Sequence, residues 1–97
     1  MLKLSFEDLV AMEAANNYIT VYYLRAGQLQ KKLLRSSLRK MYESVPEMLQ
    51  VHRSYLVNPE HFVEWKDGQT LVLTQLVVPV SQKHKANLLA MPAFAPK

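Results

Sequence analysis

The segment from Tyr18 to Leu24, YITVYYL, carries the strongest secondary-structure signal in the chain. It consists almost entirely of β-branched and aromatic residues, which favour an extended strand over a helix. The following residues, Arg25 to Gln28, include Gly27 and predict a hairpin turn, and residues 29–34 then predict a returning strand. A chain organised around this hairpin is expected to fold mainly as a β-sheet protein.

Most of the remaining sequence consists of short apolar segments separated by turn residues. Strands are predicted at residues 9–14, 49–57, 62–66, 70–74 and 76–80. The Asp67-Gly68 pair is typical of a type I′ hairpin turn. Pro79 indicates that the last strand lies at the edge of a sheet, because proline has no N–H to donate to a neighbouring strand.

Two short helices are predicted as well. The first begins at Ser36 or Ser37 and ends at Pro46, and apolar residues recur within it at helical spacing. The second follows Ser81 and covers residues 82–90. Strand alternation and helical spacing together predict the core residues, which are Tyr18, Ile19, Val21, Leu38, Met41, Leu56, Val57, Val63 and Leu73.

Length and composition are those of one small globular domain. Of the 97 residues, 49% are apolar, which is enough to build a single core without cross-links. We therefore expect one domain over residues 1–97, with residues 92–97 as a loose tail. The chain has no cysteine, which excludes disulfide bonds and thiolate metal sites. Glu7 and Asp8 precede any long apolar run, so neither a signal peptide nor a membrane helix is predicted, and a cytoplasmic location is expected.

Catalytic, metal and cofactor sites are not indicated. The three histidines, His52, His61 and His84, are spaced more widely than the ligand pairs of common zinc sites. Ser54 lies close to His52 but lacks the glycines that expose a catalytic serine on a sharp turn. The sequence has two glycines and both fit turns, so no glycine-rich phosphate loop is present. We therefore expect a protein that is not an enzyme and that uses no cofactor or metal.

Three groups of polar residues fall at strand ends and in loops. Asn16-Asn17 precedes the aromatic strand, His52-Arg53-Ser54 interrupts the apolar segment 49–57, and the sequence SQKHK at residues 81–85 follows the last strand. Arginine and lysine can donate to guanine O6 and N7, and asparagine can pair with adenine N6 and N7. The backbone N–H groups that open the second helix could also hold a phosphate.

Each group also has an ordinary structural explanation. The two asparagines suit a turn, the His-Arg-Ser triplet suits a solvated edge or bulge, and the serine and lysines of residues 81–85 suit a helix cap and a solvated helix face. The net charge of +4 permits an anionic partner without requiring one. Because the three groups occur together in a basic β domain, DNA binding is the favoured interpretation.

Several blocks of the sequence resemble the LytTR-type DNA-binding domain, the output module of many bacterial response regulators. These blocks cover almost the whole chain and read FEDLVAMEAANNYITVYY, LLRSSLRKMYESVP, VHRSYLVNPEHFVEW and DGQTLVLTQLVVPVSQKHKANLL. VHRSYLVN and PVSQKHK, at their spacing, are the most specific parts. The resemblance implies a mostly β fold of small antiparallel sheets stacked into an elongated body, with one or two short helices. It also implies loops that enter successive major grooves of double-stranded DNA at paired, direct-repeat sites.

The resemblance further implies which residues contact DNA. Base contacts are expected from Asn17, Arg53 and Lys83. Phosphate contacts are expected from Asn16, His52, Ser54, Ser81 and Lys85. No phospho-receiver domain of a two-component system is present in these residues, so the chain is expected to be either an excised output domain or a stand-alone regulator. A receiver domain or partner subunit outside this chain would then be a further partner.

Two other interpretations remain open. The same loops could bind an acidic protein partner, which would make the chain a protein-interaction module. The domain could instead bind single-stranded nucleic acid, which needs exposed aromatic residues spaced along a basic groove. The aromatic residues are concentrated in the segment Tyr18 to Leu24, on both faces of one strand, which suits a core better than a stacking surface.

Overall fold

The structure of the protein, a computed structural model, describes residues 4–95. Within this range the chain forms eight strands, which are β1 (Leu9–Ala15), β2 (Tyr18–Arg25), β3 (Gln28–Arg35), β4 (Leu49–His52), β5 (Tyr55–Val57), β6 (Phe62–Asp67), β7 (Thr70–Leu73) and β8 (Leu76–Pro79). It also forms two α-helices, α1 (Leu38–Ser44) and α2 (Gln82–Leu89). Short 3₁₀ helices cover Phe6–Asp8, Pro59–His61 and Pro92–Phe94.

The strands form two antiparallel sheets. The first has five strands in the order β3-β2-β1-β5-β4, and the second has three strands in the order β6-β7-β8. The described residues extend over 37 × 29 × 19 Å, so the body is about twice as long as it is thick. The expected fold class is therefore confirmed: the protein is mostly β, with small antiparallel sheets in an elongated body and two short helices. Pro79 ends β8, which is an edge strand as predicted.

The two faces of the five-stranded sheet bury two separate apolar clusters. The first cluster lies under α1 and contains Leu9, Met12, Ile19, Val21, Met48 and Leu56. The second lies between the two sheets and α2 and contains Val10, Ala11, Val51, Val57, Leu71, Leu73, Val78, Val80, Leu88 and Phe94. A register shift in β1 between Leu9 and Ala11 lets the consecutive Val10 and Ala11 join the same cluster. The central sheet is thus covered on both faces.

Asn58 is the only buried polar residue among those described. Its backbone N–H donates to the carbonyl of Val10 at 2.9 Å. Its side-chain Nδ2 donates to the carbonyls of Leu9 at 2.7 Å and Phe6 at 2.8 Å, and its Oδ1 accepts from the N–H of Glu60 at 2.9 Å. This residue therefore ties the end of β5 to the start of β1, and every polar group involved has a partner.

The segment 49–57 differs from the prediction of a single strand. It forms two antiparallel strands, β4 and β5, with His52 paired to Tyr55 and the chain reversing at Arg53 and Ser54. The apolar pattern continues on both sides of the polar triplet, which concealed the reversal in the sequence. A hairpin tip exposes polar groups to solvent without leaving them unpaired inside a sheet.

The residues after α2 also differ from the expected loose tail. Pro92–Phe94 form a 3₁₀ helix, and the Phe94 side chain is only 1% exposed. The Phe94 carbonyl accepts a hydrogen bond from Trp65 Nε1 at 2.8 Å, and the two rings of Phe62 and Phe94 lie 4.8 Å apart. Residues 96 and 97 lie outside the described range.

The predicted core was wrong at two positions. Tyr18 is 41% exposed because it begins β2 at the end of the sheet, beyond the elements that cover the faces. Val63 is 52% exposed, since a register shift between Phe62 and Glu64 alters the alternation along β6. Ile19, Val21, Leu56, Val57 and Leu73 are buried as predicted. Leu38 and Met41 are partly buried against the cluster under α1.

The type I′ geometry occurs at a different hairpin from the one predicted. Ala26 and Gly27 have φ values of 52° and 77°, as both central residues of a type I′ turn require. Gly68 is not among the described residues with positive φ, so the β6–β7 hairpin forms without a type I′ turn. Both hairpins predicted at these positions are present.

The Val57→Ala substitution tests the packing between the sheets. Val57 is fully buried, so removing two methyl groups should lower the free energy of unfolding by about 1–3 kcal/mol. Val63→Ala is the matched control, because the same atoms are removed from an exposed strand position; its effect should stay within about 0.5 kcal/mol. Urea unfolding of both variants measures the difference, and equal effects would contradict the assigned burial.

Candidate nucleic-acid interface

Two of the three predicted polar groups lie at the same end of the five-stranded sheet. Asn16 and Asn17 form the turn between β1 and β2, and Arg53 and Ser54 form the turn between β4 and β5. Because β1 and β5 are antiparallel neighbours in the sheet, the end of one strand meets the start of the other. The N–H of Ala14 donates to the Ser54 carbonyl at 2.8 Å, which joins the second turn directly to β1.

The third polar group joins this end through the start of α2. The N–H of Ser81 donates to the carbonyl of Val51 at 2.9 Å, so α2 begins beside the last residues of β4. Ser81 occupies the N-cap position but makes no side-chain capping bond to the helix backbone. Its hydroxyl instead lies 2.7 Å from His84 Nδ1, one helical turn later. The fold therefore brings together three loops that are far apart in sequence.

The residues around Arg53 form a cleft, named here the Arg53 cleft. It is lined by Gln50, His52, Arg53, Ser81, Lys83 and His84. Four of these residues were predicted to contact DNA from the sequence, and two, Gln50 and His84, were not. The position of His84 three residues after Ser81 on a helix is the sequence signal that could have identified it. None of the lining residues is acidic, so the cleft has a positive electrostatic character.

The backbone at the hairpin tip sets the hydrogen-bonding state of His52. The N–H of Ser54 donates to His52 Nδ1 at 3.1 Å, so that nitrogen carries no proton. The neutral imidazole must then carry its proton on Nε2. This arrangement makes His52 a hydrogen-bond donor at Nε2, which suits a phosphate oxygen or a base acceptor.

The surroundings of His84 favour its neutral form. Burial lowers its pKa below the ordinary value of 6.5, and the positive charge of Lys83 and the nearby His52 lower it further. The lysine and arginine side chains of the Arg53 cleft are Lys83 and Arg53, and both are exposed.

The Glu13 carboxylate accepts hydrogen bonds from two tyrosines, and one of them, Tyr55, belongs to the hairpin that carries Arg53. Tyr22 Oη donates to Glu13 Oε1 at 3.0 Å. Burial, followed by a hydrogen bond to Glu13 and the charge of that carboxylate, raises the pKa of Tyr55 to about 12. The same three causes raise the pKa of Tyr22. The Tyr55 ring packs edge-on against His52 with ring centroids 5.6 Å apart. Glu13 therefore holds in place the ring against which His52 packs.

Asn16, Ser54 and Lys85 were also predicted to contact DNA, but they do not line the Arg53 cleft. Asn16 is exposed and adopts the left-handed conformation with φ of 57°, as its place in a tight turn requires. Lys85 points away from the Arg53 cleft: it lies against Gly68 of the β6–β7 hairpin and lines a hollow with Trp65 and Leu89. The backbone N–H and carbonyl of Ser54 are both used inside the protein.

Asn17 lines a second cleft, named here the Arg35 cleft. Its lining residues are Asn17, Arg35, Ser36, Ser37 and Lys40, and none of them is acidic. The N–H of Ser36 donates to the Asn17 carbonyl at 3.2 Å, so the end of β3 is joined to the β1–β2 turn. Arg35 and Lys40 were not predicted as site residues from the sequence. Arg35 directly follows the strand predicted at residues 29–34, and its pairing with Tyr18 brings it next to Asn17, so the predicted hairpin is the signal that could have identified it.

Neither a metal site nor a membrane helix is found in the described part of the chain. Residues 4–95 contain no group of three or more histidine, aspartate or glutamate side chains placed to hold a metal ion. None of the helices in that range has the length and apolar character needed to cross a membrane.

Comparison with known proteins identifies a family and a related structure. The family model for the LytTr DNA-binding domain matches residues 1–91. A solved LytTr DNA-binding domain, from a Bacillus cereus protein described as a methyl-accepting/DNA response regulator, superposes with a TM-score of 0.75. The two chains are 21% identical, and the match covers 90% of this chain and 83% of the other. No curated protein matches the chain.

Titration of Tyr55 tests the Glu13 network. Since folding raises its pKa from 10.0 to about 12, the folded state favours the neutral phenol. Its contribution to stability is therefore complete below pH 10 and is lost as the pH rises through about 12. We expect Tyr55→Phe to remove the tyrosine step near pH 12 from an ultraviolet absorbance titration.

Glu13→Gln provides a second test of the same network. Removing the negative charge should shift the Tyr55 step to lower pH without abolishing it. Circular dichroism recorded in parallel separates titration of the folded protein from unfolding. A high-pH step that persists unchanged in both variants would contradict the network.

Proposed function

The chain belongs to the LytTr DNA-binding domain family, and from this premise we propose that it recognises specific sequences in double-stranded DNA as the output domain of a bacterial transcription regulator. The observation that carries the proposal is the position of the three polar loops at one end of the five-stranded sheet. Two clefts at this end carry exposed cations and no lining carboxylate. A surface of this kind matches the charge of the DNA backbone and offers donors to base edges.

Base recognition is assigned to Asn17, Arg53 and Lys83. Arg53 at the hairpin tip can present its guanidinium to O6 and N7 of guanine, and Lys83 can donate to the same atoms. Asn17 can form paired hydrogen bonds with adenine N6 and N7. Neighbouring strands lie ~4.8 Å apart, so the two turns, two spacings from each other, are separated by about 10 Å across the sheet. At this separation the two turns would enter one major groove, and copies bound at adjacent direct repeats would enter successive major grooves, which lie ~34 Å apart.

Phosphate contacts are assigned to Asn16, His52, Ser54, Ser81 and Lys85. His52 Nε2 and the Ser81 hydroxyl lie in the Arg53 cleft beside the base-reading residues. The backbone N–H groups at the start of α2 add the positive end of a helix dipole. Ser54 can use its hydroxyl, because its backbone groups are occupied. Lys85 would contact a more distant phosphate, since it lies on the side of α2 that faces the β6–β7 hairpin.

The biological setting follows from the same proposal. We propose that residues 1–97 form one such domain, that it acts in the bacterial cytoplasm, and that it has no enzymatic activity. Its DNA target would contain direct repeats, each bound by one copy. A receiver domain or partner subunit outside this chain would supply the regulatory signal of a two-component system and would raise affinity through effective concentration.

The surroundings of the aromatic residues favour duplex over single-stranded nucleic acid. A stacking platform needs rings that are free to receive bases. Here Tyr22 and Tyr55 are engaged by Glu13, and Trp65 donates to the Phe94 carbonyl. These three rings pack against the cluster between the two sheets. Among the described residues the exposed aromatic side chains are Tyr18 and Tyr42, which are too few for a row of stacking rings along a groove.

A binding titration tests the proposed function. Fluorescently labelled duplex and single-stranded DNA of random sequence should be titrated with the protein at two salt concentrations. We expect tighter binding to the duplex and a negative log–log salt slope, with a magnitude of about 0.9 for each phosphate that a lysine or arginine neutralises. Selection of bound duplexes from a random pool should then enrich one motif. Equal affinity for both forms of DNA, or enrichment of no motif, would contradict the proposal.

The Arg53→Ala variant tests base recognition. Loss of a bidentate base contact should weaken binding to the preferred duplex by ~1–3 kcal/mol and should reduce discrimination at one base pair. Arg25→Ala is the matched control, because Arg25 is an exposed arginine at the opposite end of β2 from Asn17. The control should leave affinity and discrimination unchanged. Equal weakening on all sequences would instead identify Arg53 as a phosphate contact.

A further inference from the structure

The fold separates the basic cluster in the middle of the chain into groups with different surroundings. The cluster consists of Lys31, Lys32, Arg35, Arg39 and Lys40. Lys31 and Lys32 are consecutive in β3, so their side chains project from opposite faces of the sheet. Arg39 forms an ion pair with Glu43 at 3.6 Å along the exposed side of α1. Arg35 and Lys40 are left beside Asn17 in the Arg35 cleft.

The backbone around Arg35 and Lys40 holds the two cations on the same side of the β1–β2 turn. Arg35 is the last residue of β3 and pairs with Tyr18 across the hairpin. Ser37 caps α1 by accepting the N–H of Lys40 on its hydroxyl oxygen at 3.2 Å. Among the described residues neither Arg35 nor Lys40 forms an ion pair, and both are exposed. Both positive charges are therefore available to a ligand.

We propose that Arg35 and Lys40 form a phosphate clamp that holds the DNA backbone beside the base read by Asn17; this inference rests on the proposed function. The Arg35 guanidinium can bind two oxygens of one phosphate, and the Lys40 ammonium adds a second charge. The Ser37 oxygen accepts the capping bond, which leaves the hydroxyl proton free to donate to the same phosphate. The clamp thus places the Arg35 guanidinium, the Lys40 ammonium and the Ser37 hydroxyl in one cleft.

The width of the sheet indicates why Arg35 would contact the DNA backbone and not the bases. In the order β3-β2-β1-β5-β4, the end of β3 lies three and a half strand spacings from the middle of the β4–β5 turn. At ~4.8 Å per spacing, this separation is about 17 Å. The major groove of B-DNA is ~12 Å wide, so when the sheet edge lies across a groove that receives Arg53, Arg35 lies beyond the width of that groove. Arg35 therefore meets a phosphate strand outside that groove.

The experiment measures the salt dependence of duplex binding in Arg35→Ala, Lys40→Ala and Arg39→Ala. Arg39→Ala is the matched control, because it removes one exposed positive charge next to Lys40 in sequence but outside the cleft. We expect Arg35→Ala and Lys40→Ala each to reduce the magnitude of the log–log salt slope by at most ~0.9, the value for the one phosphate that they share. Affinity should fall by the same factor on the preferred and on random duplexes. Lys40→Arg should keep the wild-type slope.

The outcomes distinguish this inference from the proposed function. If the wild-type protein prefers duplex DNA but the Arg35 and Lys40 variants behave like Arg39→Ala, the phosphate clamp is wrong and the proposed function stands. If Arg35→Ala changes discrimination at one base pair, Arg35 contacts a base and the clamp is again wrong. If the wild-type protein shows no preference for duplex DNA, the proposed function itself fails. Thermal melts of each variant verify that the fold is retained before binding is compared.

Discussion

The pairing of β1 with β5 is the contact on which the rest of the structure depends. It joins two hairpins that are far apart in sequence, with Glu13 opposite Tyr55 at one end and Asn58 bonded to Leu9 and Val10 at the other. Because the two strands are antiparallel, this pairing places the β1–β2 turn and the β4–β5 turn at the same end of the sheet. The start of α2 joins them through the bond between Ser81 and Val51. A surface assembled from three loops is therefore a consequence of one strand pairing.

The charges at this end of the sheet are arranged to leave positive groups free. Glu13 is the acidic side chain of the strand that leads to the Asn16–Asn17 turn, and it accepts hydrogen bonds from Tyr22 and Tyr55. Its carboxylate is therefore engaged inside the protein and lines neither cleft. The positive charges of Arg53, Lys83, Arg35 and Lys40 lie in the clefts themselves. For a ligand as highly charged as duplex DNA, this separation raises affinity and directs the approach of the protein.

Local sequence signals predicted most of the secondary structure correctly. The hairpin from Tyr18 to Leu34, the Ser37-capped helix and the edge position of Pro79 depend on neighbouring residues only, and each is present. The errors occurred where tertiary contacts determined strand boundaries and burial. Residues 49–57 kept an apolar pattern through the hairpin at Arg53, and the burial of Phe94 depends on Trp65 and Phe62 from another strand. The residues proposed to contact DNA followed from the family resemblance, but the side of α2 on which Lys85 lies did not.

The sequence by itself determined that this is a small basic β protein of the LytTr type, because β-branched runs, turn residues and helix caps act over a few positions and the VHRSYLVN and PVSQKHK blocks are specific. Only the tertiary structure decided which charges share a cleft. Lys83 and His84 lie beside His52 and Arg53 because the start of α2 packs beside β4, which is distant in sequence. The register of such pairings is set by the packing of whole faces against one another, and no local pattern encodes it.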